Sequence, residues 1–90
     1  MQIKLNKINT FFSKSFAKSF KKLDSFQKKF ILVKLEKILE GEEGGKIRKL
    51  KNYPLAEYRL KIGDFRLLFN FDKKKDKVLF IACSHRKNLY

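Results

Sequence analysis

An alternating run of apolar and basic residues constrains the fold of this chain more than any other stretch. Within YRLKIGDFRLLF, residues 58–69, the apolar positions share one parity on each side of a Gly-Asp pair: Tyr58, Leu60, Ile62, Phe65, Leu67 and Phe69. Arg59, Lys61 and Arg66 take the opposite parity. Because successive side chains of a strand point to opposite faces, the run predicts a hairpin with one apolar and one cationic face.

The rest of the second half also has the pattern of strands and turns. We predict three strands: residues 57–62, 65–71 and 78–84. Gly63-Asp64 forms the first turn, although hairpin turns more often have the order Asp-Gly or Asn-Gly. Further upstream, the run KIRKLK from Lys46 alternates only imperfectly, and Pro54 marks a loop.

The first half is predicted to begin with a short strand and a helix. Residues 2–6 alternate as a strand in which Ile3 and Leu5 share a face. A helix then follows an N-cap at Asn9 or Thr10. Its apolar stripe recurs at helical spacing: Phe12, Phe16, Phe20 and Leu23.

A second helix is predicted over about residues 25–41, between a cap at Asp24 or Ser25 and Gly41. Its buried side is expected to carry six apolar residues: Phe26, Phe30, Val33, Leu35, Ile38 and Leu39. The element order β-α-α-β-β-β predicts an α+β fold, a small and mostly antiparallel sheet with an α-hairpin packed on one face. Ninety residues are too few for two cores, so residues 1–90 are expected to form a single domain.

Charge is the other strong constraint. The chain has 23 Lys and Arg against 9 Asp and Glu, a formal net charge of +14, which predicts a polyanionic partner such as RNA, DNA, an acidic protein or an anionic membrane. A merely solubilising surface is the alternative. The single cysteine, Cys83, is consistent with a reducing cytosol. No apolar stretch is long enough to span a membrane. No cluster of Cys, His or carboxylate residues has the spacing of metal ligands. We therefore expect a cytoplasmic protein without metal, cofactor or membrane.

Two segments, LKNYPLAEYRLKIGDFRLLFNF and VLFIACSHRKNLY, resemble the RelE/ParE superfamily of toxins from type II toxin–antitoxin systems. The closing HRKNLY resembles the His-Arg-x-x-x-Tyr ending of that superfamily. The resemblance implies one of two activities. RelE-like members are endoribonucleases that cut mRNA on the ribosome without a metal, whereas ParE-like members inhibit DNA gyrase and lack the nuclease residues. A non-catalytic basic RNA-binding module is the third alternative.

The resemblance also implies the residues of a nuclease site and its partners. The catalytic set lies around the turn and at the C-terminus: Lys61, Arg66, His85, Arg86 and Tyr90. The resemblance places Arg59 and Lys61, before the turn, in the RNA-binding set, and Lys49 and Lys51 are expected to add non-specific contacts to RNA phosphates. The implied partners are a cognate acidic antitoxin, in a hetero-oligomeric complex, and the ribosome with its mRNA. Retention of the basic residues together favours the nuclease, because an inhibitor of gyrase needs no phosphate clamp.

The chemistry assigns a role to each of these side chains. Cleavage of RNA without a metal requires activation of the 2′-OH, stabilisation of charge on the phosphorane and protonation of the leaving 5′-oxygen. Arg66 and Arg86 suit the second role, because a guanidinium can bind two phosphate oxygens. Lys61 is the candidate base, and His85 or Tyr90 is the candidate general acid. Strand alternation places His85 on the opposite side from Arg86.

Overall fold

Within residues 3–88, which the computed structural model describes, five strands form one mixed sheet and two helices pack on one of its faces. The elements follow in this order: β1 (Thr10–Phe12), α1 (Lys14–Lys21), α2 (Ser25–Leu39), β2 (Lys46–Lys49), β3 (Tyr58–Ile62), β4 (Phe65–Asp72) and β5 (Lys77–His85). The strand order is β1-β5-β4-β3-β2, with β1 parallel to β5 and the other neighbours antiparallel. The predicted α+β class and element order are confirmed, and β2 adds an edge strand.

The predicted hairpin is formed by β3 and β4, and its apolar face supplies the centre of the core. Tyr58 pairs with Phe69 and Ile62 with Phe65, so the apolar parity on both strands faces the helices. Leu60, Leu67 and Phe69 are fully buried there. The alternation therefore predicted both the register and the buried face correctly.

The N-terminal segment differs from the expectation. Residues 3–6 belong to no strand, and Gln2 lies outside the described residues, so the strand predicted at residues 2–6 is misplaced. Residues 10–12 form β1 instead, where Thr10 pairs with Val78 of the distant strand β5. The N-cap of α1 is accordingly Ser13, whose hydroxyl accepts from the Phe16 amide at 3.1 Å, and not Asn9 or Thr10.

The second helix begins and ends where the sequence indicates, but it buries a different side. Asp24 and Gln27 form a capping box at its start, and Gly41, with a φ of 81°, follows its last turn. The residues that reach the core are Ile31, Leu35 and Ile38. Phe26, Phe30 and Val33 are exposed, which corrects the predicted buried side. The run FILV places apolar residues all around the helix, so periodicity does not select one side. Neither helix in residues 3–88 could span a membrane.

A β-bulge in β5 changes which residues face the helices. Leu68 pairs with Ala82 and Phe69 with Phe80, so Ile81 is an additional residue opposite that step. Phe80 and Cys83 are consequently both buried in the helix-facing core. Burial also raises the pKa of the Cys83 thiol to about 12, so this side chain remains a protonated apolar group at neutral pH.

Two serines of α1 bind backbone groups of β5 at the bulge and just after it, beyond Phe80, where the pairing of β5 with β1 ends. The Ser15 hydroxyl donates to the Ile81 carbonyl at 2.7 Å, and the Cys83 amide donates to Ser19 Oγ at 2.9 Å. Ser15 and Ser19 are four residues apart, so they lie on the same side of the helix. The bulge and the helix therefore stabilise each other.

Ser19→Ala is expected to lower the free energy of unfolding by about 1–3 kcal/mol, because it leaves the Cys83 amide without an acceptor. Urea denaturation measures the change. Ser25→Ala, at the exposed first residue of α2, is the matched control and should stay within about 0.5 kcal/mol of the unsubstituted chain. Equal denaturation midpoints for both variants would contradict this role of Ser19.

Candidate functional site

Five cations lie in two neighbouring rows on the sheet face that points away from the helices. Lys46 pairs with Lys61, and Lys61 pairs with Arg66 on the next strand. In the second row Arg48 lies opposite Arg59. Directly opposed residues have Cβ atoms about 5 Å apart, so each row brings like charges close together. We call this set the cationic face: Lys46, Arg48, Arg59, Lys61 and Arg66.

Three cations of this face form a row without acidic partners in residues 3–88. Among these described residues, no carboxylate forms an ion pair with Lys46, Lys61 or Arg66. Ion pairs form at other places: Lys7–Glu40, Lys34–Glu43, Lys37–Glu43 and Arg86–Asp64. Like charges directly opposite each other destabilise a sheet, so this arrangement is unfavourable for folding. Because the three cations of the row have no acidic partner within the described residues, they remain available to bind an anion.

The loop before β3 covers the neighbouring part of the same sheet face. Ala56 and Leu68 are buried there, and they pack with Leu50, Tyr53, Ile81 and Ala82 in a small second core. The loop thus limits the open surface to the end of the sheet near the β3–β4 turn. The cationic face has an apolar border on one side and this turn on another.

The β3–β4 turn has the geometry that its unusual residue order requires. Gly63 has a φ of 57°, whereas Asp64 has a negative φ. A positive φ at the first central residue alone is the type II′ arrangement, which favours Gly at that position and explains the order Gly-Asp. The turn is therefore tight, and it fixes the positions of the side chains that contact it.

Arg66 and Arg86 are both held at this turn. The Arg66 guanidinium donates through Nη1 to the carbonyls of Gly63 at 3.2 Å and Phe65 at 3.1 Å. The Arg86 amide donates to the Asp64 carbonyl at 2.8 Å, and its Nε lies 3.7 Å from Asp64 Oδ1. The two arginines assigned to the phosphate from sequence are thus brought to one place. Both keep guanidinium nitrogens for a further acceptor.

Among the other residues predicted for the site, His85 and Lys49 lie on the helix side of the sheet, away from the cationic face. His85 pairs with Phe65 on the helix side of the sheet, with the two ring planes at 86° and the centroids 5.4 Å apart. His85 thus lies on the opposite face from Ser84, which pairs with Arg66, and it shares the face of Phe80 because the extra residue Ile81 shifts the alternation of β5. Lys49 shares the parity of Ile47 and lines a groove on the helix side. Lys51 is exposed in the loop after β2, and Tyr90 lies outside the described residues.

Sequence reasoning missed Lys46 and Arg48, although a signal was present. They flank Ile47 in the run KIRK, with the same alternation that marks β3. The alternation of apolar and basic residues breaks at Lys49 and Leu50, so the sequence pattern alone does not predict a strand here. Once β2 is placed beside β3, its cations extend the face to three strands.

Lys61→Gln is expected to raise the free energy of unfolding by about 0.5 kcal/mol at low ionic strength, because it removes repulsion from both Lys46 and Arg66. The gain should diminish at high salt, which screens exposed charges. Lys7→Gln is the control of opposite sign. The Lys7 ammonium donates to Glu40 at 2.8 Å, and this hydrogen bond raises the pKa of Lys7, so its loss should lower stability. A Lys61→Gln variant less stable than the unsubstituted chain would refute the repulsion.

Comparison with known proteins gives a family and a fold. A family model described as the ParE toxin of the type II toxin–antitoxin system parDE matches residues 11–90. The RelB-RelE antitoxin–toxin complex of Methanococcus jannaschii contains a chain that is 25% identical, with a TM-score of 0.65 over 89% of this chain and 94% of that chain. No curated protein sequence is significantly similar.

Two further solved complexes share the fold. The RelBE2 toxin–antitoxin complex of Mycobacterium tuberculosis has 18% identity and a TM-score of 0.63, over 98% of this chain and 98% of that chain. The RelBE toxin–antitoxin complex of Escherichia coli has 24% identity and a TM-score of 0.57, over 84% of this chain and 93% of that chain.

Proposed function

Because the chain belongs to the ParE toxin family, within the RelE/ParE superfamily of type II toxin–antitoxin systems, we propose that its toxic activity is the cleavage of mRNA on the ribosome. The cationic face is the observation that carries this proposal. Its cations lie in two rows across three adjacent strands, and those of the Lys46–Lys61–Arg66 row have no acidic partner within residues 3–88. A surface of this kind is suited to a phosphate backbone, which supplies closely spaced negative charges.

The proposed mechanism is metal-independent and has three roles, and the geometry bears on the first two of them. Lys61 and Arg66 are directly opposed, so a phosphate bound by Arg66 has the Lys61 amine beside it as a base for the 2′-OH. Arg66 and Arg86 share the Gly63-Asp64 turn, from which both can stabilise the charge of the phosphorane. Protonation of the 5′-oxygen is assigned to His85 or Tyr90. An RNA strand that crosses the turn would pass from Arg66 to the His85 side.

The partner proposed for the resting state is an acidic antitoxin. The M. jannaschii, M. tuberculosis and E. coli relatives were all solved as toxin–antitoxin complexes. A net charge of +14 favours an acidic partner, which would offset the charge and speed association. We propose a hetero-oligomer with such an antitoxin in the cytoplasm, and release of the toxin to the ribosome and its mRNA.

Inhibition of DNA gyrase is the second candidate, and the family match itself favours it, because the matching model is that of the ParE toxin. Induction of the chain without antitoxin separates the two activities. The nuclease should stop pulse-labelled protein synthesis first, produce cut mRNA and leave plasmid supercoiling unchanged. An early DNA-damage response with intact mRNA would instead support gyrase as the target. Growth arrest without either effect would contradict both.

A further inference from the structure

A shallow cleft of about 320 Å³ opens on the helix side of the Gly63-Asp64 turn. Its walls come from α2, the turn and the end of β5: Phe26, Gln27, Phe30, Gly63, Asp64, Phe65 and His85. We call it the Phe26 cleft. The Phe26 side chain is 80% exposed, which is unusual for a large aromatic residue in a chain that needs its apolar side chains for the core. The ring therefore contributes little to the core, and its surface is open to a ligand in the cleft.

The walls of the cleft are held in place by specific contacts. The Phe30 ring lies against Gly63, where an added Cβ would be only 2.8 Å from the ring. The His85 ring meets Phe65 edge-on, and its Nδ1 accepts from the Lys87 amide at 3.2 Å. A neutral His85 therefore carries its proton on Nε2, where it can act as a donor. Aromatic surfaces fixed in this way lose little conformational entropy when a ring binds between them.

Several cations adjoin the lining residues, either next to them in the chain or through contacts with the turn. Asp64, the carboxylate among the lining residues, is already paired with Arg86. Lys29 lies on the exposed side of α2 between Phe26 and Phe30, and Lys87 follows His85. Arg66 and Arg86 are anchored to the same turn that forms the floor of the cleft. Exposed aromatic rings bordered by cations are characteristic of sites that stack nucleic-acid bases and hold the adjoining phosphates.

We propose that the Phe26 cleft binds one nucleobase of the RNA strand whose phosphates lie on the cationic face. This inference rests on the proposed function. It adds that a base of the RNA substrate binds on the helix side of the turn. The strand crosses the Gly63-Asp64 turn, so that Arg66 and Arg86 hold a phosphate while the neighbouring base stacks against Phe26. Stacking of this kind accepts any base, so the cleft fixes the position of the strand without selecting its sequence.

The size of the cleft favours a base over a peptide. A helical peptide is bound through anchors spaced over two turns and needs a long groove. A volume of about 320 Å³ is at the lower limit for ligand sites and suits a single ring system. The carboxylates of an acidic peptide would also meet the cations, but they do not themselves stack on Phe26.

The test uses short RNA oligonucleotides with a single 2-aminopurine, whose fluorescence falls when it stacks. The chain contains no Trp, so the emission reports the probe. The RNA is a hairpin with a short single-stranded overhang, whose duplex limits the registers in which the overhang can bind. With the probe moved along the overhang, the unsubstituted chain should quench it most strongly at one position or at two adjacent ones. Phe26→Ala should abolish that quenching and weaken binding about tenfold. An abasic nucleotide at that position should remove the difference in affinity between the two proteins.

Leu55→Ala is the matched control, because Leu55 is 68% exposed and lies away from the turn. It should leave both quenching and affinity unchanged. Three results would overturn the proposal: no position-dependent quenching by the unsubstituted chain, full quenching by Phe26→Ala, or a Phe26→Ala defect confined to antitoxin binding, which would assign the cleft to a protein partner. The proposed nuclease is judged separately. Quenching without mRNA cleavage on ribosomes refutes the nuclease alone, and cleavage without quenching refutes the cleft alone.

Discussion

Arg66→Ala is expected to slow single-turnover cleavage of mRNA on programmed ribosomes by about 10²-fold or more, the effect of losing one preorganised charge stabiliser. The carbonyls of Gly63 and Phe65 hold the guanidinium before substrate arrives, so it needs little reorganisation to meet the phosphorane. When an interaction is stronger in the transition state than in the ground state, its removal lowers the rate of the reaction. Ribosome binding should fall far less, because many other cations share that task.

The control for this experiment is Arg48→Ala. Arg48 is on the same cationic face, but it lies on the edge strand β2 and has no contact with the turn. It should affect binding and its salt dependence, with little change in the cleavage rate of the bound complex. Cleavage should persist when cobalt hexammine replaces magnesium, and the products should carry a 2′,3′-cyclic phosphate. An Arg66→Ala variant that cleaves normally, or a 2′-deoxy substrate that is cut, would exclude this mechanism.

Phe69→Ala is expected to cost about 3–5 kcal/mol of folding free energy, the largest stability loss that we anticipate for one side chain. Phe69 is fully buried, stacks on Tyr58 with ring centroids 5.5 Å apart and meets the Phe80 ring at 5.1 Å. A domain of this length has a total stability of only about 5–13 kcal/mol, so the variant should be partly unfolded at physiological temperature.

Urea denaturation with Phe26→Ala as the matched control measures this difference. Both changes remove the same ring, but Phe26 is exposed and Phe69 is at the centre of the core. The control should remain within about 0.5 kcal/mol of the unsubstituted chain. A similar loss for both variants would mean that Phe26 packs in solution, and it would also remove the basis for the proposed cleft.

Local patterns in the sequence predicted the parts of the fold that depend on neighbouring residues. The alternation around Gly63-Asp64 determined the β3–β4 register, because a shift by one residue would bury Lys61 and expose Leu60. The start of α2 was likewise predicted locally, with a cap at Asp24 or Ser25, and the structure selects Asp24, whose capping box with Gln27 is complete within four residues. Such signals need no knowledge of the distant chain.

Features that depend on distant pairing could not be predicted in this way. Thr10–Phe12 becomes a strand only because β5 lies beside it, more than sixty residues later. The buried side of α2 is selected by the sheet, and its sequence is apolar on several sides. For the site, the alternation placed Arg59, Lys61 and Arg66 together, but Lys46 and Arg48 join them only through pairing with β3. The extra residue in β5 has no local signature at all.

The bulge at Ile81 gives β5 a place where the chain can change in length without moving side chains across the sheet. Removal of Ile81 would restore strict alternation in β5, because Phe80 and Ala82 would become adjacent opposite Phe69 and Leu68. Ser84 would still pair with Arg66 and His85 with Phe65, so both side chains would keep their faces. A lineage could therefore lose or gain one residue here and keep the same C-terminal residues on the same sides of the sheet. Relatives of this chain should be aligned by the position of the bulge before their C-terminal residues are compared.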